Sequence, residues 1–194
     1  MKTFFSSIAL VLVVALAGCA PMGFDPGKTV TLFDGSNIDQ WRPLGNANWR
    51  IAEGALQADK GSGFLVTKSS YGDFHLTAEF WSDADANSGI FIRMSDTNRV
   101  TADNSYEVNI FDKRPNPTYG TGAIVNVAAV SPMPWAVGKW NIYEITARGP
   151  VLTVSLNGVR TVDGVRDTRF PNGPLSLQYA SGVIKFRNVR ITPL

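Results

Sequence analysis

From Thr29 onward the chain alternates apolar and polar residues in short runs, and glycine, asparagine, aspartate and proline separate those runs. No long stretch repeats with the 3.6-residue period of a helix. Period-two runs bounded by turn residues predict strands, and many in succession predict an all-β sandwich or barrel. Thr29–Phe33 reads as a first strand, turned by Asp34-Gly35. Trp49–Ile51 and Ala55–Ala58 flank Glu53-Gly54, a hairpin signal, and Phe64–Thr67 follows Gly61-Ser62-Gly63. Phe74–Trp81 is a long strand closed by the polar stretch Ser82–Asn87, and Gly89–Met94 and Ser105–Phe111 come next. Pro115 and Pro117 open an irregular loop, Ala123–Val127 is a further strand, and Ser131-Pro132-Met133-Pro134 forms a second proline loop. Asn141–Ala147 and Val151–Leu156 pair across Arg148-Gly149-Pro150. Asn157-Gly158, the strongest hairpin dipeptide in the chain, leads to Val159–Val162, and Leu175–Tyr179 and Val183–Thr192 complete the set.

Alternation also sorts side chains between the two faces of each strand. Phe74, Leu76, Ala78 and Phe80 share one face, and His75, Thr77, Glu79 and Trp81 the other. In the next two runs Ile90, Ile92, Met94, Tyr106, Val108 and Ile110 point inward, leaving Phe91, Arg93, Glu107, Asn109 and Phe111 outward. Leu177 faces in with its odd-numbered neighbours, and Gln178 faces out. If these strands share one sheet, its outer face carries Glu79, Arg93, Glu107, Asn109 and Gln178 with Trp81, Phe91 and Phe111 among them. Aromatic rings stack on the apolar faces of sugars, and carboxylates, amides and guanidinium groups bond hydroxyls, so this mixture suits a carbohydrate. Two carboxylates on one surface are also the minimum equipment for acid–base chemistry at a glycosidic bond. The competing reading is an ion-pair lattice in which Arg93 only neutralises Glu79 or Glu107.

The N-terminus changes the picture of where the domain works. Met1-Lys2-Thr3 carries one positive charge, and Ile8–Leu16 is an apolar run too short to span a bilayer as a helix. Leu16-Ala17-Gly18-Cys19 follows and resembles the bacterial lipobox, in which cleavage leaves the cysteine first and lipid is attached to its sulfur. The plainer alternative is an ordinary signal peptide cut near Ala20. Cys19 is the only cysteine in the chain, so no internal disulfide is available to the fold. The expected organisation is a lipoprotein signal over residues 1–18, a lipidated tether over 19–28 and one β-domain over 29–194. Ala20, rather than aspartate, after Cys19 resembles an outer-membrane sorting signal, which puts a Gram-negative protein on the periplasmic face of that membrane. Loss of the signal leaves 176 residues and removes Lys2, lowering the formal net charge from +2 to +1. Such a balance argues against nucleic acid as a partner.

The order of several short segments resembles the 3-keto-disaccharide hydrolase domain family. Leu32-Phe33-Asp34-Gly35-Ser36 with Trp41 resembles its opening, and Trp49-Arg50-Ile51 with Glu53-Gly54-Ala55-Leu56 its next block. Tyr71-Gly72-Asp73-Phe74 through Glu79-Phe80, Asn87-Ser88-Gly89-Ile90 with Arg93, Tyr106-Glu107-Val108 and Thr121-Gly122-Ala123 follow. Gly138-Lys139-Trp140-Asn141, Asn157-Gly158, Gly173-Pro174-Leu175 with Leu177-Gln178, and Phe186-Arg187-Asn188-Val189 complete the match. The resemblance implies a concanavalin A-like jelly-roll sandwich of two curved antiparallel sheets whose concave face holds the ligand. It implies hydrolysis of glycosides oxidised at C3, by elimination and hydration. On that expectation Glu79 and Glu107 are base and acid, in either order, and Arg93 holds the enolate oxygen. Trp81, Phe91, Asn109, Phe111 and Gln178 bind the sugar, and His75 is a further proton-transfer candidate. As the only histidine, His75 excludes a multi-histidine metal site, whereas Asp83, Asp85 and Asp112 leave a calcium ion open. Two alternatives stand beside the enzyme: a non-catalytic carbohydrate-binding lipoprotein, and a structural envelope protein whose sheet face binds another protein.

Overall fold

The computed structural model describes residues 25–113 and 116–194. The expectations for Cys19 and for the export signal lie outside the described residues, as do Pro115 and most of the tether. Every regular element among the described residues is a strand. In chain order these are β1 (Val30–Phe33), β2 (Trp41–Gly45), β3 (Arg50–Ala52), β4 (Ala55–Ala58), β5 (Gly63–Thr67), β6 (Phe74–Ser82) and β7 (Ser88–Ile92). β8 (Tyr106–Ile110), β9 (Trp140–Arg148), β10 (Val151–Leu156), β11 (Val159–Arg166), β12 (Ser176–Tyr179) and β13 (Ile184–Pro193) follow.

The strands form two antiparallel sheets. The larger has eight strands in the order β11-β10-β9-β6-β13-β4-β3, with β1 also pairing β13; the smaller has five, in the order β2-β5-β12-β7-β8. The local turns are those the dipeptides predict. Glu53 and Gly54 have φ of 52° and 72°, and Asn157 and Gly158 have 52° and 78°, the paired left-handed conformations of a tight two-residue hairpin. Between the sheets lies one apolar core, to which β6 sends Phe74, Leu76, Ala78 and Phe80, β8 sends Tyr106, Val108 and Ile110, and β9 sends Tyr143 and Ile145. Phe80 and Tyr143 meet there with ring centroids 4.8 Å apart.

Three departures from the sequence reading have local causes. β2 carries Pro43 mid-strand and does not read as a strand, yet it sits at the edge of its sheet, where a missing N–H is tolerated. Ala123–Val127 is not a strand: Asn126 at φ 60° turns the chain, and only isolated bridges of Ile124 to Val108 and Ala128 remain. β7 stops at Ile92, and Arg93 enters the left-handed region at φ 53°, so the outward parity extrapolated to Arg93 and the inward parity extrapolated to Met94 both fail.

Candidate functional site

The outer face of the five-stranded sheet holds the candidate site. Its register aligns Phe91 with Glu107 and Gly89 with Asn109 across β7 and β8, Ser176 with Phe91 across β12 and β7, and Gln178 with Phe64 across β12 and β5. Partners in register share a face, so Glu107, Asn109, Ser176, Gln178 and Phe91 lie on one surface, as the alternation predicts for four of them. Phe91 is not a free platform. It packs edge-on against Phe64, ring centroids 5.5 Å apart, in a second small apolar cluster with Val66, Met94 and Val100. The segment between β7 and β8, which supplies Met94 and Val100, thus roofs one half of this face and leaves the Glu107 half open.

That open half holds a cavity of about 170 Å³ lined by Asn87, Glu107, Asn109, Phe111, Tyr119 and Val125. The one carboxyl in its described lining is Glu107. No donor among the described residues bonds or pairs with the Glu107 carboxyl, and burial raises its pKa from 4.5 to about 7. Gly89 explains part of the room beside it: a Cβ there would lie 3.4 Å from Glu107 Cγ and 3.1 Å from the Val108 carbonyl oxygen. Three further polar atoms on this face, Asn109 Oδ1, Ser176 Oγ and Gln178 Oε1, are buried and have no hydrogen-bond partner among the described residues. Buried polar atoms are nearly always satisfied, and each exception costs about 1–3 kcal/mol; of these three, Asn109 lines the Glu107 cavity and Gln178 lines a second cavity on the same face. Asn109 is itself fixed, since its Nδ2 donates to the Tyr119 carbonyl and its own carbonyl accepts from the Tyr143 hydroxyl. Phe111 closes one wall, held by its N–H bond to Thr121 Oγ1 at 2.9 Å.

The other predicted residues are elsewhere. Glu79 and Trp81 belong to β6 in the eight-stranded sheet, so their outward face is the opposite side of the sandwich from Glu107. The expectation that the two glutamates share a surface therefore does not hold. Burial alone would raise the Glu79 pKa, but bonds from Asn188 Nδ2 at 2.7 Å and Arg187 Nε at 2.6 Å bring it below the ordinary value. Glu79 thus sits in the ion-pair lattice considered above, with Arg187 rather than Arg93. Trp81 lies beneath the Lys185 ammonium, 5.3 Å from its ring, and His75, on the same far face, bonds Thr146 through Nδ1 at 3.0 Å. Arg93 is fully buried at the end of the sandwich. It donates to the carbonyls of Gly72 at 2.8 Å and Gly149 at 2.6 Å and pairs with Asp73 at 3.0 Å. It is a structural cross-link remote from the Glu107 cavity.

The three aspartates do not converge. Asp85 pairs with Lys113 at 2.6 Å, Asp83 accepts from the Asp85 amide, and Asp112 accepts from the amides of Ala136 and Val137. No group of three or more His, Cys, Asp or Glu is placed to hold a metal ion among the described residues. Asn87, Gly89, Tyr119 and Ser176 belong to the site but escape a strand-parity reading. Asn87 and Tyr119 lie in loops, Gly89 contributes by lacking a side chain, and serine carries no signal by itself.

Residues 28–192 match the model of a family described as the 3-keto-alpha-glucoside-1,2-lyase-like domain. Among solved structures, a Parabacteroides distasonis protein assigned to the glycosyl hydrolases is 25% identical, with a TM-score of 0.72 over 86% of this chain and all of that one. A carbohydrate-binding module from Bacillus subtilis (20% identity, TM-score 0.63) spans 78% of this chain and 94% of its own. The β-glucanase of Bacillus licheniformis (12%, TM-score 0.59) spans 89% and 100%. These likenesses establish the concanavalin A-like sandwich. No curated protein matches the sequence.

Proposed function

Because the chain belongs to the 3-keto-alpha-glucoside-1,2-lyase-like domain family, we propose that this carbohydrate-active domain cleaves glycosides oxidised at C3, with Glu107 as its proton-transfer group. The observation that carries the proposal is the unpartnered Glu107 carboxyl, raised to about 7 by burial and facing a cavity that it shares with the unsatisfied Asn109 Oδ1. A group that titrates near neutral pH is ionised often enough to act as a base and protonated often enough to act as an acid.

The hydrogen at C2, beside the C3 ketone, is acidic. Ionised Glu107 removes it, and the electron pair moves onto the ketone oxygen as an enolate. The enolate collapses back to the ketone, a C1–C2 double bond forms, and the bond from C1 to the leaving oxygen breaks. Protonated Glu107 returns its proton to that oxygen. Water then adds at C1 and a proton at C2, giving the free 3-keto sugar. One carboxyl thus serves both halves of the elimination, which removes the need for a second glutamate. Asn109 Oδ1 accepts from a sugar hydroxyl, and Phe111 supplies an apolar wall.

The same reading holds the domain at the cell envelope through lipid on Cys19, on the periplasmic face of the outer membrane in a Gram-negative cell; its support is the segment Leu16-Ala17-Gly18-Cys19. Incubation of the purified protein with 3-keto-glycosides, followed by product analysis, tests the activity. Glu107→Gln should lower turnover by roughly 100- to 10,000-fold while leaving the domain folded. Wild-type rates in that variant would end the assignment, and sugar binding without turnover in the wild type would make the domain a binding module.

A further inference from the structure

A second cavity lies on the same sheet face as Glu107. It measures about 500 Å³, and Ser62, Phe64, Asn98, Arg99, Gln178 and Tyr179 are among its lining residues. Gln178 ties it to the catalytic half. In register, Gln178 sits beside Phe64 on one side, and the β12–β7 pairing continues it to Gly89, which faces Asn109. Leu44, Phe64, Gln178, Gly89 and Asn109 therefore form one row across the five strands. At the usual strand spacing that row is about 19 Å long, and the cavity at Glu107 occupies only its β8 end.

The catalytic cavity, at about 170 Å³, falls below the roughly 300 Å³ at which ordinary ligand pockets begin. A ring bound there has its leaving group outside, and Gln178 and the larger cavity come next along the row. Arg99 is the one charged residue in the described lining of that cavity, and it forms no ion pair among the described residues. The backbone that carries it is held in place. The side-chain amide of Asn104 donates to the Arg99 carbonyl, Ser95 Oγ donates to the Asn104 carbonyl at 3.0 Å, and Arg42 Nη2 holds the Thr97 carbonyl at 2.8 Å. These bonds fix the segment that carries Arg99 over the β2–β5 end of the sheet. An exposed guanidinium with no ion-pair partner among the described residues, in the lining of a largely apolar cavity, presents a planar fork of donors suited to a carboxylate.

We infer that this second cavity receives the leaving group, and that the preferred leaving group is an acidic sugar ring whose carboxylate pairs with Arg99. The inference rests on the proposed cleavage reaction but names a substrate class that the reaction alone does not require. Two 3-keto-glucosides provide the test, identical in the oxidised ring and differing only in whether the leaving sugar is a uronic acid or its neutral counterpart. The wild-type protein should favour the acidic one by roughly 10-fold or more in kcat/KM, since a charge-assisted bond is worth at least one decade. The preference should shrink as salt is added, and Arg99→Gln should bring the ratio close to one. Equal use of both substrates by the wild type, or a ratio unmoved by Arg99→Gln, overturns the inference. Calorimetric titration with the corresponding unoxidised disaccharides separates this outcome from failure of the reaction itself. Tighter binding of the acidic sugar that disappears in Arg99→Gln upholds the cavity assignment even if no keto-glycoside turns over; charge-independent binding rejects it.

Discussion

Two glutamates with the same outward parity end with opposite properties, and the difference is one of neighbours. Glu79 lies on a strand flanked by Arg187 and Asn188, which bond both of its oxygens, so it stays ionised and silent. Glu107 is flanked by Phe91 and by Gly89, which offer it no donor. Burial without a partner favours the protonated form and lifts the carboxyl to about 7. The consequence for stability has a definite sign. Folded Glu107 holds its proton more tightly than the unfolded chain, so its contribution is most favourable below about pH 4.5 and is lost progressively as pH rises to about 7. Glu107→Gln, which cannot ionise, should therefore be more stable than wild type at pH 8, by on the order of 3 kcal/mol, with the gain vanishing below pH 4.5. Urea denaturation at the two pH values measures it, and an equal difference at both would show that Glu107 is not perturbed. In the wild type, the same titration should appear as an activity limb rising through about pH 7.

At the scale of the strand, alternation is a strong guide to which side chains are inward and a poor guide to which strands are neighbours. Phe74–Trp81 was legible residue by residue, down to the four that enter the core. Its sheet was not, because β6 pairs with β9 and β13, which lie far along the chain, rather than with the adjacent β7. Parity also holds only as far as the strand does. One left-handed residue after Ile92 turns Arg93 from a predicted outward group into a fully buried one. Arg93 joins the loop before β6, the β9–β10 turn and the segment near Phe170 through its bonds to Gly72, Gly149 and Phe170. Removing it leaves those carbonyls and Asp73 without their cation. Arg93→Met should cost about 3–5 kcal/mol, whereas Glu79→Gln, on a half-exposed pair, should cost under about 1 kcal/mol and leave turnover intact. Chemical denaturation of the two variants, with activity assays of Glu79→Gln, checks both statements. Loss of turnover in Glu79→Gln would return that residue to the mechanism.

The whole molecule is a sandwich whose two outer faces share no side chain. One is a lattice of Glu79, Arg187, Lys185, Trp81 and Trp140; the other holds Glu107 and both cavities. Among the described residues the first strand begins at Val30, so the proposed attachment at Cys19 lies outside every described strand. Cys19→Ser should move the protein from the membrane to the soluble fraction while its β-sheet circular dichroism and melting stay as in wild type. Cell fractionation and the mass of the N-terminal peptide decide this, and unchanged membrane association without lipid would refute it. Within the sandwich, one contact joins the two sheets directly at the site. Tyr143 of β9 is completely buried, its phenol is held well above its normal pKa by that burial, and its hydroxyl donates at 2.5 Å to the main-chain carbonyl of Asn109. The strand bearing Glu107 is thus bolted through the core to the opposite sheet. The consequence is one of time: β8, although at the edge of its sheet, cannot loosen at Asn109 without breaking a bond at the centre of the domain, so its amides there should exchange with solvent more slowly than those of the surrounding loops. The floor of the site is then longer-lived than its rim, and fast motion that admits or releases a sugar belongs to the loops around it.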